Sequence, residues 1–249
     1  MRFLKGHGTE NDFVLLPDLD DQLDLSADLV RRLCDRRAGL GADGVLRVVR
    51  GEAGLFFMDY RNADGSIAEM CGNGVRVYAH YLVREGLAEP GHLELATRGG
   101  VKKVHVDGDS VVVDMGMAVV GDTVDIDGVP GTSVDMGNPH AVVHVASVEA
   151  LGVLDPERKD LNVEYVEDVA PGHLRMRVHE RGVGETRSCG TGACAAVVAT
   201  VLRLGVPRGS AYLVDVPGGR LVVTWHEDGH VTLEGPAVIV AEGETSLDA

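Results

Sequence analysis

Two short phrases, Met70-Cys71-Gly72-Asn73-Gly74 and Ser188-Cys189-Gly190-Thr191-Gly192, stand 118 positions apart, and each opens what reads as a helix. A thiol just ahead of glycines at a helix start meets backbone amides that have no intrahelical partner. Such a turn attracts anions and favours the thiolate. One phrase of this kind is common in tight turns. Two in register suggest a carboxylate held between two helix ends, with Gly72, Asn73 and Gly74 on one side and Gly190, Thr191 and Gly192 on the other. The α-carbon of that carboxylate would then lie between two sulfurs. A thiolate on one face could take the α-proton while a thiol on the other face returns one, and the amide dipoles would stabilise the enediolate-like charge. The product leaves the protonation states of the thiols exchanged, which an epimerase can use for the reverse reaction.

The elements around the cysteines repeat as well. Val75–Gly86 and Ala193–Gly205 read as helices with Arg84 and Arg203 in the last turn and a glycine at the left-handed cap. Thr97-Arg-Gly-Gly100 matches Val216-Pro-Gly-Gly219, and in both copies strands and an Asp-Gly turn follow, with second strands at Ser110–Met115 and His230–Glu234. Asn62 and Glu180 each lie nine residues before their cysteine, at the ends of the strand-like runs Leu55–Tyr60 and Leu174–Val178. The chain reads as two copies of one unit rather than a solenoid. The expected division is 1–117 and 118–236.

Composition narrows the class. The formal charge of −16 and the lack of a basic stripe argue against nucleic acid, so an anionic substrate would need a local grip from amides and a few arginines. The start of the chain lacks the apolar run of a signal peptide, and the apolar stretch Ala193–Val201 is too short for a membrane span, so it is expected to be a buried helix. Cys34 falls on the apolar side of an amphipathic helix capped by Ser26, and Cys194 lies in an alanine-rich helix; both read as packing residues. Without Cys-x-x-Cys or a histidine at ligand spacing, no metal site is expected, and four cysteines in such a chain point to a reducing, cytoplasmic location.

The segments Asn62-Ala-Asp-Gly-Ser-Ile-Ala-Glu-Met-Cys-Gly-Asn-Gly-Val-Arg76 and Glu180-Arg-Gly-Val-Gly-Glu-Thr-Arg-Ser-Cys-Gly-Thr-Gly-Ala-Cys-Ala196 resemble the two signatures of the diaminopimelate epimerase family. The resemblance extends through Gly6–Phe13, Met136–His140, Asn162–Tyr165 and Glu234–Ala237. It implies an α/β (α+β) fold of two pseudo-symmetric halves, each a curved, mostly antiparallel sheet around a central helix, with the active site in the cleft between them. Residues 237–249 would return to the first half. It also implies interconversion of LL- and meso-diaminopimelate without pyridoxal phosphate, metal or other cofactor, in lysine and peptidoglycan precursor synthesis, by a homodimer.

By the same resemblance Cys71 and Cys189 are the two bases, with His140 and Glu180 as polar helpers beside them. Asn11, Asn62, Gly72, Asn73, Asn138, Asn162, Arg181, Gly190 and Thr191 are expected to hold the substrate. Arg181 is the natural bidentate partner of a distal carboxylate, and Glu180 could meet an ammonium. Many family members have a glutamine where this chain has Gly44, so that contact is absent or replaced. A proline-racemase-like enzyme shares the cysteine cores, but Asn-Ala-Asp-Gly-Ser and Glu-Arg-Gly argue against it. A pyridoxal enzyme would need a Schiff-base lysine, and Lys5, Lys102, Lys103 and Lys159 lack that context. A non-catalytic amino-acid-binding protein would have no need of the second cysteine, and redox cysteine pairs usually sit closer in sequence.

Overall fold

A computed structural model describes residues 1–51 and 54–247. The chain divides into two compact units, one of Met1–Val113 with Pro236–Ala249, the other of Asp114–Gly235.

In the first unit, strands β1 (Arg2–Gly8) and β2 (Asn11–Pro17) form a hairpin, followed by helix α1 (Ala27–Cys34), β3 (Gly44–Arg50) and β4 (Phe56–Asn62). Helix α2 (Gly72–Arg84) then leads into β5 (Gly91–Thr97), β6 (Gly100–Asp107) and β7 (Ser110–Met117). The second unit carries the hairpin β8 (Val119–Ile126) and β9 (Val129–Asp135), then β10 (Pro139–His144), β11 (Asn162–Ala170), β12 (His173–Glu180) and the short β13 (Gly184–Thr186). Helix α3 (Gly190–Leu204) precedes β14 (Ala211–Val216), β15 (Gly219–Trp225) and β16 (His230–Pro236). The closing strand β17 (Val238–Glu244) pairs antiparallel with β1, in the first unit.

The repeat seen in the sequence is repeated in the pairing. The first unit runs β17-β1-β2-β3-β4-β5-β6-β7 and the second β8-β9-β10-β11-β12-β14-β15-β16. In that order the senses are antiparallel, antiparallel, parallel, antiparallel, parallel, antiparallel and antiparallel in both. Register gives the equivalences. Phe13 lies opposite Gly44 across the parallel pair of the first unit, and His140 lies opposite Asn162 across that of the second. Gly44 is therefore the counterpart of Asn162, Leu46 of Glu164 and Phe13 of His140.

Each unit buries its helix against its own strands. Helix α2 packs on β1, β2, β3, β4, β6 and β17, and α3 on β9, β10, β11, β12 and β15. A helix buried on most sides must be apolar nearly all round. Helix α2 buries Val75, Val77, Tyr78, Ala79, Tyr81 and Leu82. Helix α3 buries every residue from Gly192 to Val201. Its Ala193, Ala195, Ala196 and Ala199 let the strands approach closely, while Val197, Val198 and Val201 supply bulk at about 1.5–3 kcal/mol for each fully buried side chain. Both helices end as their sequences indicate: Gly205 caps α3 at φ 62°, and Gly86 follows α2 at φ 68°.

Helix α1 starts at Ser26, whose hydroxyl accepts the Leu29 amide at 3.2 Å. It buries Leu29, Val30, Leu33 and Cys34. Burial pushes the Cys34 thiol up to about 12, so it is inert packing as the sequence suggests. Among the described residues no helix is long and apolar enough to cross a membrane.

Candidate active site

Both cysteines are helix N-caps in extended backbone, Cys71 ahead of α2 and Cys189 ahead of α3. In each unit the strand ends beside the cap supply the polar residues. These are the starts of the parallel pair, β2 and β3 or β10 and β11, and the end of β4 or β12. Asn11 and Asn62 thus stand in the first unit as Asn138, Asn162 and Glu180 stand in the second.

Around Cys71 the network is made of amides. The Cys71 thiol donates to Asn11 Oδ1 at 3.6 Å, and Asn73 Nδ2 donates to the same oxygen at 3.2 Å. The Asn11 amide is fixed from behind, because its Nδ2 donates to Asp43 Oδ2 at 2.8 Å. Asp43 in turn accepts from Arg36 at 2.7 Å. Asn73 is buried, and its own oxygen accepts from the fully buried Arg76 at 2.9 Å. Its side chain therefore faces inward; any grip on a ligand at this residue falls to its main chain. Asn62 donates to Ser66 Oγ at 3.0 Å, at the edge of the loop that leads to Cys71.

Gly44 lies opposite Asn62 in the register. A Cβ there would fall 2.6 Å from the Arg61 carbonyl and 2.7 Å from the Tyr60 ring. No side chain fits at this position without a shift, and the neighbouring Asp43 is the residue that reaches the cysteine's network.

Around Cys189 the network is charged. Cys189 Sγ lies 3.4 Å from the Thr191 hydroxyl and accepts the Gly192 amide at 3.3 Å. The sulfur thus caps its own helix as a serine oxygen would, and one amide of the expected anion cradle is already committed. His140 and Glu164 are both fully buried, with His140 Nδ1 2.7 Å from Glu164 Oε1 and His140 Nε2 3.0 Å from Asn138 Oδ1. Glu180 accepts from the Thr186 hydroxyl. Burial raises the Cys189 thiol well above its ordinary range, and the charges of Glu180 and Glu164 add to this. The Thr191 hydroxyl and Gly192 amide oppose it. The balance favours the thiol form of Cys189.

Asn162 works as a bracket. Its Nδ2 donates to the Pro139 carbonyl at 3.0 Å, while its Oδ1 accepts the Arg181 amide at 3.0 Å. Arg181 is exposed. Its guanidinium has no hydrogen-bond or ion-pair partner among the described residues, although its charge is felt by Asp160, and it stands on a backbone anchored by Asn162. Gly190 is buried at the first turn of α3. Among the described residues there is no cluster of three or more metal-ligating side chains.

Sequence reasoning missed Asp43, Arg76 and Glu164. Arg76 lies one turn beyond Asn73, a spacing at which helix side chains meet. Glu164 had its own signal, since strand alternation puts it on the same face as Asn162 in an otherwise apolar run.

The model of the diaminopimelate epimerase family matches residues 3–121 and again 132–240. The chain belongs to the diaminopimelate epimerase family. Among its relatives, the diaminopimelate epimerase of Streptomyces coelicolor is 54% identical, over 97% of this chain and 94% of that one. That of Thermobifida fusca is 50% identical over 100% and 99%. Solved structures share the fold at far lower identity. A PhzF-family phenazine biosynthesis protein of Bacillus anthracis superposes with TM-score 0.80 at 16% identity, covering 98% of both chains. A hydroxyproline epimerase from Agrobacterium vitis does so with TM-score 0.73 at 17% identity, covering 98% of this chain and 90% of the other. The two family matches coincide with the repeat, so diaminopimelate epimerase likeness extends to the sequence around both cysteines.

Proposed function

We propose that this member of the diaminopimelate epimerase family interconverts LL- and meso-2,6-diaminopimelate by exchanging the proton at one α-carbon between Cys71 and Cys189, in lysine and peptidoglycan precursor synthesis. The observation that carries the reading is the pair of cysteine N-caps at equivalent places in two matching units, in a chain half identical over its length to enzymes of that name.

In the scheme the substrate α-carboxylate meets the first-turn amides of α2 and α3 at Gly72, Asn73, Gly190 and Thr191. There the amide dipoles stabilise the second negative charge that develops on its oxygens as the α-proton leaves. With Cys189 held as the thiol, Cys71 is the base: once the proton it donates to Asn11 has passed to solvent, its thiolate takes the α-proton, the electron pair moves into the carboxylate, and the Cys189 S–H bond delivers a proton to the other face. The turnover ends with Cys71 a thiol and Cys189 a thiolate, ready for the reverse substrate. The reaction needs both sulfurs to reach opposite faces of one carbon. Arg181 binds the distal carboxylate, which proline does not have, and Glu180 and Asn62 receive the substrate's ammonium and polar groups. The protein acts as a homodimer in the cytoplasm.

Cys71→Ala and Cys189→Ala test the scheme in a chiral assay of LL-diaminopimelate, with L-proline as a control substrate. Each variant is expected to lose at least about a thousandfold in kcat, within the span that a positioned acid or base contributes. Full activity in either variant, or a preference for proline, would exclude the proposal.

A further inference from the structure

The two units place different residues beneath equivalent helix starts. Under α2, a Cβ at Gly74 would meet Leu46 Cδ2 at 3.3 Å and Phe13 Cζ at 3.6 Å, and both are fully buried apolar side chains. Under α3, the equivalent Cβ at Gly192 would lie 2.6 Å from Glu164 Oε1. By register Leu46 corresponds to Glu164 and Phe13 to His140. The apolar pair of the first unit has become a buried glutamate and histidine in the second. The first unit builds the same place with the fully buried Leu46 and Phe13, so the charged pair is not a requirement of the fold.

A buried carboxylate is costly unless it is paired. Glu164 Oε1 has His140, but Oε2 is buried with no hydrogen-bond partner among the described residues. The compensation comes from the first turn of α3, whose positive end lies against the carboxylate at Gly192. That turn also carries the amide that Cys189 Sγ accepts. We propose that Glu164 is a positioning residue that makes the two thiols unequal, fixing His140 and the first turn of α3 so that Cys189 rests protonated. This rests on the two-thiol reading of the site and says which thiol is the resting acid and why. The charged and polar groups facing Cys189 are Glu180 from β12, Glu164 from β11 and the Thr191 hydroxyl of α3, and Glu164 carries His140 of β10 behind it. Glu164 and Glu180 both oppose a thiolate, and only Glu164 has an apolar counterpart in the other unit, namely Leu46.

The test is the pH dependence of iodoacetamide alkylation, read separately at Cys71 and Cys189 by peptide mass spectrometry on the intact protein. Glu164→Gln keeps the size and removes the charge. The Cys189 midpoint is expected to fall by about one pH unit or more, which is roughly tenfold faster alkylation at a fixed pH below it, while that of Cys71 stays in place. In turnover the same variant is expected to lose kcat about tenfold with KM changed less than twofold and the pH profile displaced. A Cys189 midpoint unchanged from the wild type, or Cys71 and Cys189 shifting together, would overturn the proposal. Should Glu164→Gln not fold, the double variant His140→Phe, Glu164→Leu rebuilds the apolar pair of the first unit and carries the same two outcomes. Alkylation needs no substrate, so an unchanged midpoint in an active enzyme defeats this inference alone. An inactive wild type with a shifted midpoint in the variant defeats the diaminopimelate reading instead.

Discussion

At the residue scale, the two cysteines differ by what stands behind them. Cys71 donates to an amide oxygen whose orientation is set by Asp43 and Arg36. Burial raises the Cys189 thiol, and the carboxylates of Glu180 and Glu164 raise it further. Arg181 is the other asymmetric feature, a guanidinium on a backbone pinned by Asn162. A charge-assisted pair of hydrogen bonds to a carboxylate is worth about 1.5–3 kcal/mol. Arg181→Ala is therefore expected to raise KM for diaminopimelate roughly ten- to a hundredfold, with kcat reduced much less. Steady-state kinetics decide it, and an unchanged KM would remove Arg181 from the substrate's distal end. Much of this was legible in the sequence: the paired phrases name both thiols, and the unlike residues at Asn62 and Glu180 mark where the repeat stops being symmetric. Asp43 was not, because it meets Asn11 only through the register of β2 and β3; Glu164 shows as a charge on the Asn162 face of β11, but its pairing with His140 comes only from the register of β10 and β11.

At the element scale, the first turn of each helix is the part under tightest constraint. Gly192 faces a carboxylate oxygen at 2.6 Å from a built Cβ, whereas the nearest atom to a Cβ at Gly74 is a leucine methyl at 3.3 Å that can yield by a few tenths of an ångström. Gly192→Ala is expected to cost about 1–3 kcal/mol of stability, as overpacking in a filled core does. It should also displace the amide that caps Cys189. Gly74→Ala should cost less than about 1 kcal/mol, the lower end of the same overpacking range. Urea melts of both variants compare the two sites, and equal losses would contradict the difference. Helix limits, caps and hairpin turns followed from apolar periodicity and glycine placement, since those are local. The parallel pairs β2–β3 and β10–β11 did not, because nothing within a strand says which distant strand it joins.

At the scale of the whole molecule, the ion pairs that stabilise the first unit run up to the groups behind Cys71, since Arg36 holds both Asp12 and Asp43. The two units repeat one strand order, and each buries charged and polar groups in its own places, Arg76 with Asn73 in the first and His140 with Glu164 in the second. In the first unit Asp12 ties Lys5 of β1 to Arg36 beyond α1. Burial alone would raise its carboxyl, but the hydrogen bonds from Arg36 and Lys5 outweigh that and hold it at about 2, below the ordinary 3.8. A carboxyl lowered on folding stabilises the native state above its unfolded value, and the contribution is lost as the pH falls through the folded one. Asp12 thus adds about 2 kcal/mol at neutral pH that disappears between about pH 4 and pH 2. Denaturant melts should show Asp12→Asn less stable than the wild type at pH 6, with the gap closing in that window. A gap independent of pH would contradict the ion-pair account. The charge of −16 needs no functional reading beside this, since the proposed substrate contacts are local. The central claim is the passage of a proton between two different sulfurs, and it has a direct measurement. LL-diaminopimelate is incubated with the protein in heavy water, and substrate and product are analysed by NMR and mass spectrometry before equilibrium. Two bases predict one deuterium at a single α-carbon of the meso product and almost none in the remaining LL substrate. Deuterium washing into the LL substrate as fast as product forms would mean that one group serves both faces, and would contradict the account.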